Sequence, residues 1–306
     1  MYDLIIIGGG PAGIAAGIYA ARKKIKTLII VESFGGQSVV SADIQNWIGS
    51  PSISGYDLAK SMENHLRSFD GSIEIEEGER AEKIEQTEGG FKVATSGGKS
   101  FETKYILLAS GSRRKRLGVP GEDKYDGKGV VFCSICDAPL FKDKEVAVIG
   151  GGNAGLEAVV DLFPYAKKIY LVVRSEGPKG DPVTLEKVSS NAKVEIITQA
   201  DTEEILGDNF VTGLRYKDRK EGTLKELKVS GVFVEVGALP NSEIVKGLAD
   251  INAKGEVISD PRTQATSNPG IWAAGDVSDA LYKQNNTSAG DAIKAALNIY
   301  DKLVRG

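Results

Sequence analysis

The chain has 306 residues, 41% of them hydrophobic and 26% charged, with a formal net charge of −4. That length is more than one hydrophobic core ordinarily organises and points to two domains. The acidic balance gives no field for holding a polyphosphate backbone, which argues against nucleic acid as the main partner, and no stretch approaches a membrane span.

The first predicted element is the apolar run Leu4-Ile5-Ile6-Ile7, followed by Gly8-Gly9-Gly10-Pro11-Ala12-Gly13 and a helical stretch through Arg22. The strand starts almost at the first residue with no charged leader before it, which favours a cytoplasmic protein. Strand, glycine turn and helix in this order form a dinucleotide-binding opening. The first glycine permits the tight turn, the second lets backbone approach a pyrophosphate, and the third packs helix on strand. The helix N-terminus then faces the diphosphate. The next strand, residues 27–31, ends in Glu32, nineteen positions past the third glycine. A carboxylate there accepts from ribose hydroxyls and repels a 2′-phosphate, as FAD or NAD requires.

A helix-like segment over residues 58–69 carries the single histidine, His65, read as a partly exposed helix residue. Residues 72–75, 80–84, 91–95 and 100–103 read as short strands of a small antiparallel layer, and residues 105–109 as a separate buried strand ending in Ser110-Gly111. The run Arg113-Arg114-Lys115-Arg116 reads as a solvated connector and secondarily as a docking patch for an acidic partner.

Cys133-Ser134-Ile135-Cys136 contains both cysteines of the chain. A tetrahedral zinc site needs four ligands, and two cysteines with one distant histidine do not supply them, so no metal is expected. A redox pair fits better: one thiol attacks a partner disulfide and the other resolves the mixed disulfide.

A second dinucleotide opening follows. Val146-Ala147-Val148-Ile149 leads into Gly150-Gly151-Gly152-Asn153-Ala154-Gly155, 142 positions after the first turn, and then into a helix reaching about Phe163. Its next strand, residues 169–173, ends in Arg174, again nineteen positions past the third glycine. An arginine there favours a 2′-phosphate, with Ser175 and Lys179 as supplementary donors; the alternative is a surface arginine at a strand end. Towards the C-terminus, Gly270-Ile271-Trp272-Ala273-Ala274 runs into Gly275-Asp276, and a helix begins near Thr287 after Tyr282-Lys283-Gln284.

These motifs, with Phe34-Gly35-Gly36-Gln37, Gln45-Asn46-Trp47, Val119-Pro120-Gly121-Glu122 and Cys133-Ser134-Ile135-Cys136-Asp137, form an ordered set running nearly end to end. In that set the chain resembles low-molecular-weight thioredoxin reductases and, equally, the reductase core of the alkyl hydroperoxide reductase flavoprotein subunit. The resemblance implies an α/β fold of two Rossmann-like dinucleotide-binding domains, each a three-layer β/β/α arrangement, the second inserted into the first. It implies an FAD domain over 1–112 and 241–306 and an NAD(P)H domain over 115–238 carrying the dithiol.

It further implies that Gly8, Gly10, Pro11, Ala12, Gly13, Glu32, Ala109 and Gly111 hold FAD. Gly35, Gly36 and Gln37 would lie at its diphosphate and flavin side, Asn46 at the isoalloxazine and Ala81 beside the adenine. Gly275 and Asp276 would meet the ribitol, and Lys283, Gln284 and Asn285 the pyrimidine edge. Gly150, Gly152, Asn153, Ala154, Gly155, Arg174, Ser175 and Lys179 would hold the nicotinamide nucleotide. By the same resemblance Cys136 faces the flavin, Cys133 attacks the partner, and Asp137 is the acid, its pKa raised by burial.

The implied function is a homodimeric disulfide reductase passing electrons from NAD(P)H through FAD and the dithiol to a thioredoxin-like protein. The chain departs from the family pattern at Ile135, where a small polar residue is usual, and at Ala138, where glycine is usual. It departs also at Arg174-Ser175 with Lys179, a reduced form of the usual arginine cluster. NADPH is favoured over NADH, and ferredoxin stays open as a donor. A non-catalytic nucleotide-sensing protein that kept the fold is the alternative from another class, and retention of both cysteines with Asp137 argues against it.

Overall fold

The computed structural model describes residues 1–40, 44, 46–69 and 71–305, the side chains of residues 40, 135 and 136 excepted. The chain forms two compact units, residues 1–113 with 239–306 and residues 114–238.

The first unit opens with β1 (Tyr2–Gly9), whose Leu4 to Ile7 are buried on both faces as in the interior of a parallel sheet. It continues through α1 (Pro11–Arg22), β2 (Thr27–Phe34), α2 (Gly55–Arg67), β3 (Ile73–Glu77), β4 (Ala81–Thr87), β5 (Gly90–Thr95), β6 (Ser100–Leu108) and β7 (Ser112–Arg114). Proline at the first helical position of α1 needs no N–H partner and presets the helical φ. Ser54 caps α2 by accepting from the Asp57 N–H at 3.0 Å.

The second unit runs through β8 (Val130–Val131), α3 (Ser134–Asp137), β9 (Glu145–Ile149), α4 (Asn153–Leu162), β10 (Lys168–Val172) and α5 (Pro182–Ser190). Then come β11 (Val194–Ile197), β12 (Ala200–Gly207), β13 (Val211–Asp218), β14 (Leu224–Leu227) and β15 (Gly231–Val234). The chain returns to the first unit at β16 (Ala238–Pro240), adds β17 (Ile271–Ala273) and ends in α6 (Asn285–Arg305).

The first unit's sheet has the order β3-β2-β1-β6-β5-β4, with β17 also on β6. Strands β2, β1, β6 and β17 are parallel, whereas β5 runs antiparallel to both β4 and β6. One face packs under α1 and α6 through Ala16, Ala20, Ala292, Ala295 and Ile299. The other buries Ile5, Ile7, Leu28 and Ile30 against Val93, Val245 and Val257. In the second unit the parallel sheet β11-β10-β9-β15-β8 is covered on one face by Leu156, Val159 and Leu162 of α4. Its other face meets the antiparallel sheet β12-β13-β14 through Ile205, Val211 and Leu214. Both units are α/β, and the second shows the three-layer β/β/α arrangement plainly.

Two readings from sequence are corrected. Residues 100–108 are one strand, not two: the first half pairs with β5 and alternates in exposure, while the second half is buried beside β1. The change of burial midway looks like a strand boundary in sequence. Residues 73–77 do not belong to the antiparallel layer, because Thr27 to Val31 pair with Ile73 to Glu77 in parallel. An edge strand of a parallel sheet alternates as an antiparallel one does, so the pattern cannot tell them apart. Among the described residues, no helix is long and apolar enough to cross a membrane.

Candidate functional site

The first glycine turn is built by close approach. Gly8 has φ +121°, and a Cβ on it would stand 2.3 Å from the Ala109 carbonyl oxygen at the end of β6. A Cβ on Gly13 would stand 1.9 Å from the Gly8 carbonyl oxygen, so only glycine lets α1 seat on its own turn. Gly10 caps α1 without a side-chain hydrogen bond. The first N–H groups of the helix are therefore left for a ligand.

A cavity of about 1080 Å³ opens there, lined entirely by residues of the first unit. Of the residues expected at FAD, the structure brings thirteen to it: Gly8, Gly10, Pro11, Ala12, Glu32, Gly36, Gln37, Ala81, Ala109, Gly111, Gly275, Asp276 and Asn285. Gln37 Nε2 donates to Ser112 Oγ at 2.7 Å, and Ser112 Oγ lies 3.4 Å from Asp276 Oδ2. Asn285 Oδ1 accepts from Ser38 Oγ at 2.7 Å.

Five expected residues do not line the cavity. Gly13 packs the helix, and Gly35, at φ +100°, passes close to Ala59. Asn46 Nδ2 donates to Gln284 Oε1 at 3.1 Å, which ties residues 46 and 284 to each other. Lys283 forms an ion pair with Glu256 at 3.2 Å and donates to the Ser278 carbonyl, so it braces the turn after Asp276. Gln45 lies outside the described residues.

Residues that sequence reasoning missed complete the wall: Arg113, Asn241 and Glu243 among them. Asn241 clasps the loop after β6, donating from Nδ2 to the Ser110 carbonyl at 2.8 Å and accepting from Ser110 Oγ at its own carbonyl at 2.8 Å. Arg113 pairs with Glu243 at 2.6 Å, which holds that carboxyl below the usual range. Asn241 lies 131 positions from Ser110, and nothing local marks it; its place straight after Pro240, at the chain's re-entry, is the one available signal. The run 113–116 is exposed along its length and falls where the two units divide, in keeping with a solvated connector, and three of its four side chains also form ion pairs there: Arg113 with Glu243, Arg114 with Glu235 at 2.7 Å, and Arg116 with Asp126 and Asp123.

The second glycine turn repeats the first. Gly150, at φ +131°, would place a Cβ 2.0 Å from the Glu235 carbonyl oxygen, and Gly155 one 2.0 Å from the Gly150 carbonyl oxygen. Gly152 caps α4 without a side-chain bond, with Asn153, Ala154 and Gly155 forming the first turn. Asn153 Oδ1 already accepts from the Asp181 N–H at 2.7 Å, and Ser175 Oγ donates to the Gly177 carbonyl at 2.7 Å. Arg174 and Lys179 are exposed. Among the described residues neither has an ionic partner.

Cys133 is disulfide-bonded and half-buried at the head of α3, while the side chain of Cys136 lies outside the described residues. Asp137 is half-buried, and burial pushes its carboxyl up. Three more carboxyls of this unit are raised, each by burial first. They are Asp161, Glu157 and Glu235, the last to about 7 despite Arg114.

Residues 2–296 match the family described as pyridine nucleotide-disulphide oxidoreductase. The chain belongs to this family. It is 43% identical to the F component of alkyl hydroperoxide reductase of Xanthomonas campestris pv. phaseoli over 99% of its own length. It spans 57% of that relative, so it matches a little over half of the longer protein. Among solved structures, Lactococcus lactis thioredoxin reductase in its FR conformation superimposes with a TM-score of 0.90 at 31% identity, covering 100% of both chains. The thioredoxin reductase of T. acidophilum superimposes comparably, with a TM-score of 0.87 at 35% identity over 99% of each chain. Family membership brings FAD as cofactor, and this oxidoreductase fits it. The glycine-lined turn leaves room for a diphosphate where a Cβ would intrude, and Glu32 lies on the cavity wall where a ribose is expected.

Proposed function

We propose that this oxidoreductase is an FAD-dependent disulfide reductase of the thioredoxin reductase kind. Its first unit holds FAD, its second NAD(P)H, and Cys133 with Cys136 forms the electron exit to the disulfide of a thioredoxin-like protein. The observation that carries the reading is a cysteine already in a disulfide at the head of a helix, with a half-buried carboxyl four residues on, in the same unit as a second dinucleotide turn. FAD, when bound, supplies the two-electron relay between nicotinamide and sulfur. The sum is NAD(P)H, a proton and a protein disulfide giving NAD(P)⁺ and a dithiol.

In this reading the α1 N-terminus and Gly8 to Gly13 seat the diphosphate, Glu32 takes the ribose hydroxyls, and Gln37 with Asp276 faces the ribitol. The raised Asp137 holds a proton for the leaving thiolate. Arg174 and Lys179 favour NADPH over NADH by charge-assisted contact to a 2′-phosphate. A working dithiol suits the cytoplasm, where thiols are kept reduced, and the family resemblance favours a homodimer.

Cys136→Ser tests the reading, because hydride reaches the flavin before any sulfur is involved. The variant should lose turnover with a protein disulfide while NADPH still bleaches the flavin anaerobically. Turnover near the wild-type rate would show that electrons leave elsewhere, and bleaching by reduced ferredoxin alone would replace the donor.

A further inference from the structure

Lys283 has the residue type expected of a cofactor contact, yet its ammonium is committed to the cavity wall itself. Its Nζ donates to the Ser278 carbonyl, lies 3.5 Å from the Asp276 carbonyl oxygen and pairs with Glu256 Oε1 at 3.2 Å. Glu256 is held in turn by Asn252. Its Oε2 accepts from Asn252 Nδ2 at 2.8 Å, and its N–H donates to Asn252 Oδ1 at 3.1 Å. Burial pushes the Glu256 carboxyl up, but Asn252 and Lys283 more than offset this and hold it below the usual carboxylate range. All these residues belong to the first unit.

The turn that Lys283 grips is the one that carries Asp276. It opens at Gly275, with φ +78°, and closes where the Ser278 N–H and Oγ both donate to the Gly275 carbonyl, at 3.0 and 2.8 Å. Val257, next to Glu256, brackets it: its N–H donates to the Val277 carbonyl and its carbonyl accepts from the Asp279 N–H, both at 2.9 Å. Asp276 lines the cavity, and its carboxyl stands 3.4 Å from Ser112 Oγ and 3.5 Å from Gln37 Nε2, both cavity residues. One ammonium thus reaches the backbone of a cavity carboxylate, and a second carboxylate neutralises that ammonium. The Lys283 and Glu256 side chains are 32% and 17% exposed, so water screens the pair less than an ordinary surface pair.

We propose, on the reading that FAD occupies this cavity, that Glu256 is a positioning residue for the flavin: through Lys283 it fixes the turn that presents Asp276, and by cancelling the ammonium charge it keeps the flavin's reduction potential low. Taking up two electrons and one proton leaves a flavin ring with a net negative charge, and charge near the ring sets how readily that happens. An uncompensated ammonium would favour the reduced ring. A neutral pair leaves the reduced ring a better electron donor, which suits an enzyme that must pass its electrons on to a disulfide.

The test is the flavin midpoint potential of the FAD-loaded full chain, measured by anaerobic titration against a reference dye. Glu256→Gln keeps an acceptor for Lys283 and removes the charge, so the ratio of reduced to oxidised flavin at a fixed potential should rise by about three- to tenfold, about 15–30 mV for a two-electron couple. Lys283→Met should lower the ratio by a similar factor, and the double variant should return near the wild-type value. Lys283→Arg keeps the charge and should stay there. Glu256→Lys, with two cations, should go further in the Glu256→Gln direction, which keeps the sign readable even where Lys283→Met binds flavin too weakly to titrate. Opposite signs in the two single variants are the signature, since a loosened turn alone would move both the same way. Shifts of one sign, or a Glu256→Lys potential no higher than wild type, would overturn the assignment. The flavin-to-protein ratio of the same samples keeps two ideas apart: a wild type that takes up no FAD would overturn the cofactor reading, whereas full FAD with unmoved potentials would overturn the role of Glu256 alone.

Discussion

In the first unit a Cβ on Gly13 would stand 1.9 Å from the Gly8 carbonyl oxygen, and in the second Gly155 and Gly150 repeat the contact at 2.0 Å. In each turn the opening glycine lies under a carbonyl of the neighbouring strand, Ala109 in one and Glu235 in the other. The backbone problem and its solution are the same. What differs is what the strand ends present. β2 carries Glu32 near its C-terminal end, on the wall of a large cavity, whereas β10 is followed by exposed Arg174 and Lys179. The carbonyl over the first turn belongs to a small apolar residue; the one over the second belongs to a buried carboxyl paired with Arg114. The glycines therefore specify how closely backbone may approach, and in the proposed reading the flanking side chains set which nucleotide is preferred.

The likeness of the two turns is most exposed to disruption at the third glycine. Gly13→Val drives atoms into the Gly8 carbonyl, and overpacking of this sort costs about 1–3 kcal/mol or more. The variant should lose FAD, read as the flavin-to-protein ratio, together with cooperative unfolding of the first unit. Gly155→Val should keep its FAD and lose flavin reduction by NADPH. A Gly13→Val protein that retains full FAD would show that the first turn is not the flavin turn.

A smaller effect, and one that separates the two turns, belongs to Glu235. Its carboxyl is pushed up to about 7 by burial, against an ordinary value of 4.5. The folded state therefore binds the proton more tightly than the unfolded chain. The resulting stability is fully present below about pH 4.5 and is lost as pH rises through about 7. Glu235→Gln removes the titration and should flatten the pH dependence of the second unit's stability across that window, by at most about 3 kcal/mol, read as a melting temperature that no longer changes with pH there. Ala109, the counterpart, offers no such group, so the first unit should show no matching slope. An identical pH profile in wild type and variant would mean that Arg114 fully compensates the buried charge.

Much of this was legible in sequence because it is local. Two strand-turn-helix openings, the acid or arginine nineteen positions on, and the C-x-x-C pair all lie within short windows, where period and spacing carry the physics. The rest depends on partners far along the chain. Asn241 clasps Ser110 across 131 positions, and Ser134 meets Asp161 on another helix. Strand β6 changes neighbours midway, and a burial pattern cannot say which strand lies alongside. Lys283 and Asn153 have side chains suited to a ligand, yet the structure commits both to neighbours, Lys283 to Glu256 and Asn153 to Asp181. Residue type announces a capacity for hydrogen bonding, and only the fold decides where it is used.

The smallest expected difference between the two units lies in donor choice. Arg174 occupies the second unit's counterpart of Glu32, and the two should act with opposite sign on a 2′-phosphate. Glu32 repels one; Arg174 gains a charge-assisted contact, a difference of about ten- to hundredfold in affinity. Lys179, also exposed, supplies a second cation, but as a point charge without the planar fork. Ser175 adds little, since its hydroxyl already donates to the Gly177 carbonyl. Wild type should therefore prefer NADPH modestly, with NADH within reach. Arg174→Ala should raise the KM for NADPH by about ten- to hundredfold and leave that for NADH nearly unchanged, and Lys179→Ala should act in the same direction by less. Added salt should narrow the NADPH advantage in wild type, because an exposed ion contact is screened over about 8–10 Å at moderate ionic strength. Anaerobic flavin-reduction titrations with both nucleotides read all of these. Equal losses for the two donors in Arg174→Ala would show a surface arginine with no part in recognition, and would leave the difference between the two turns without a consequence for the nucleotide.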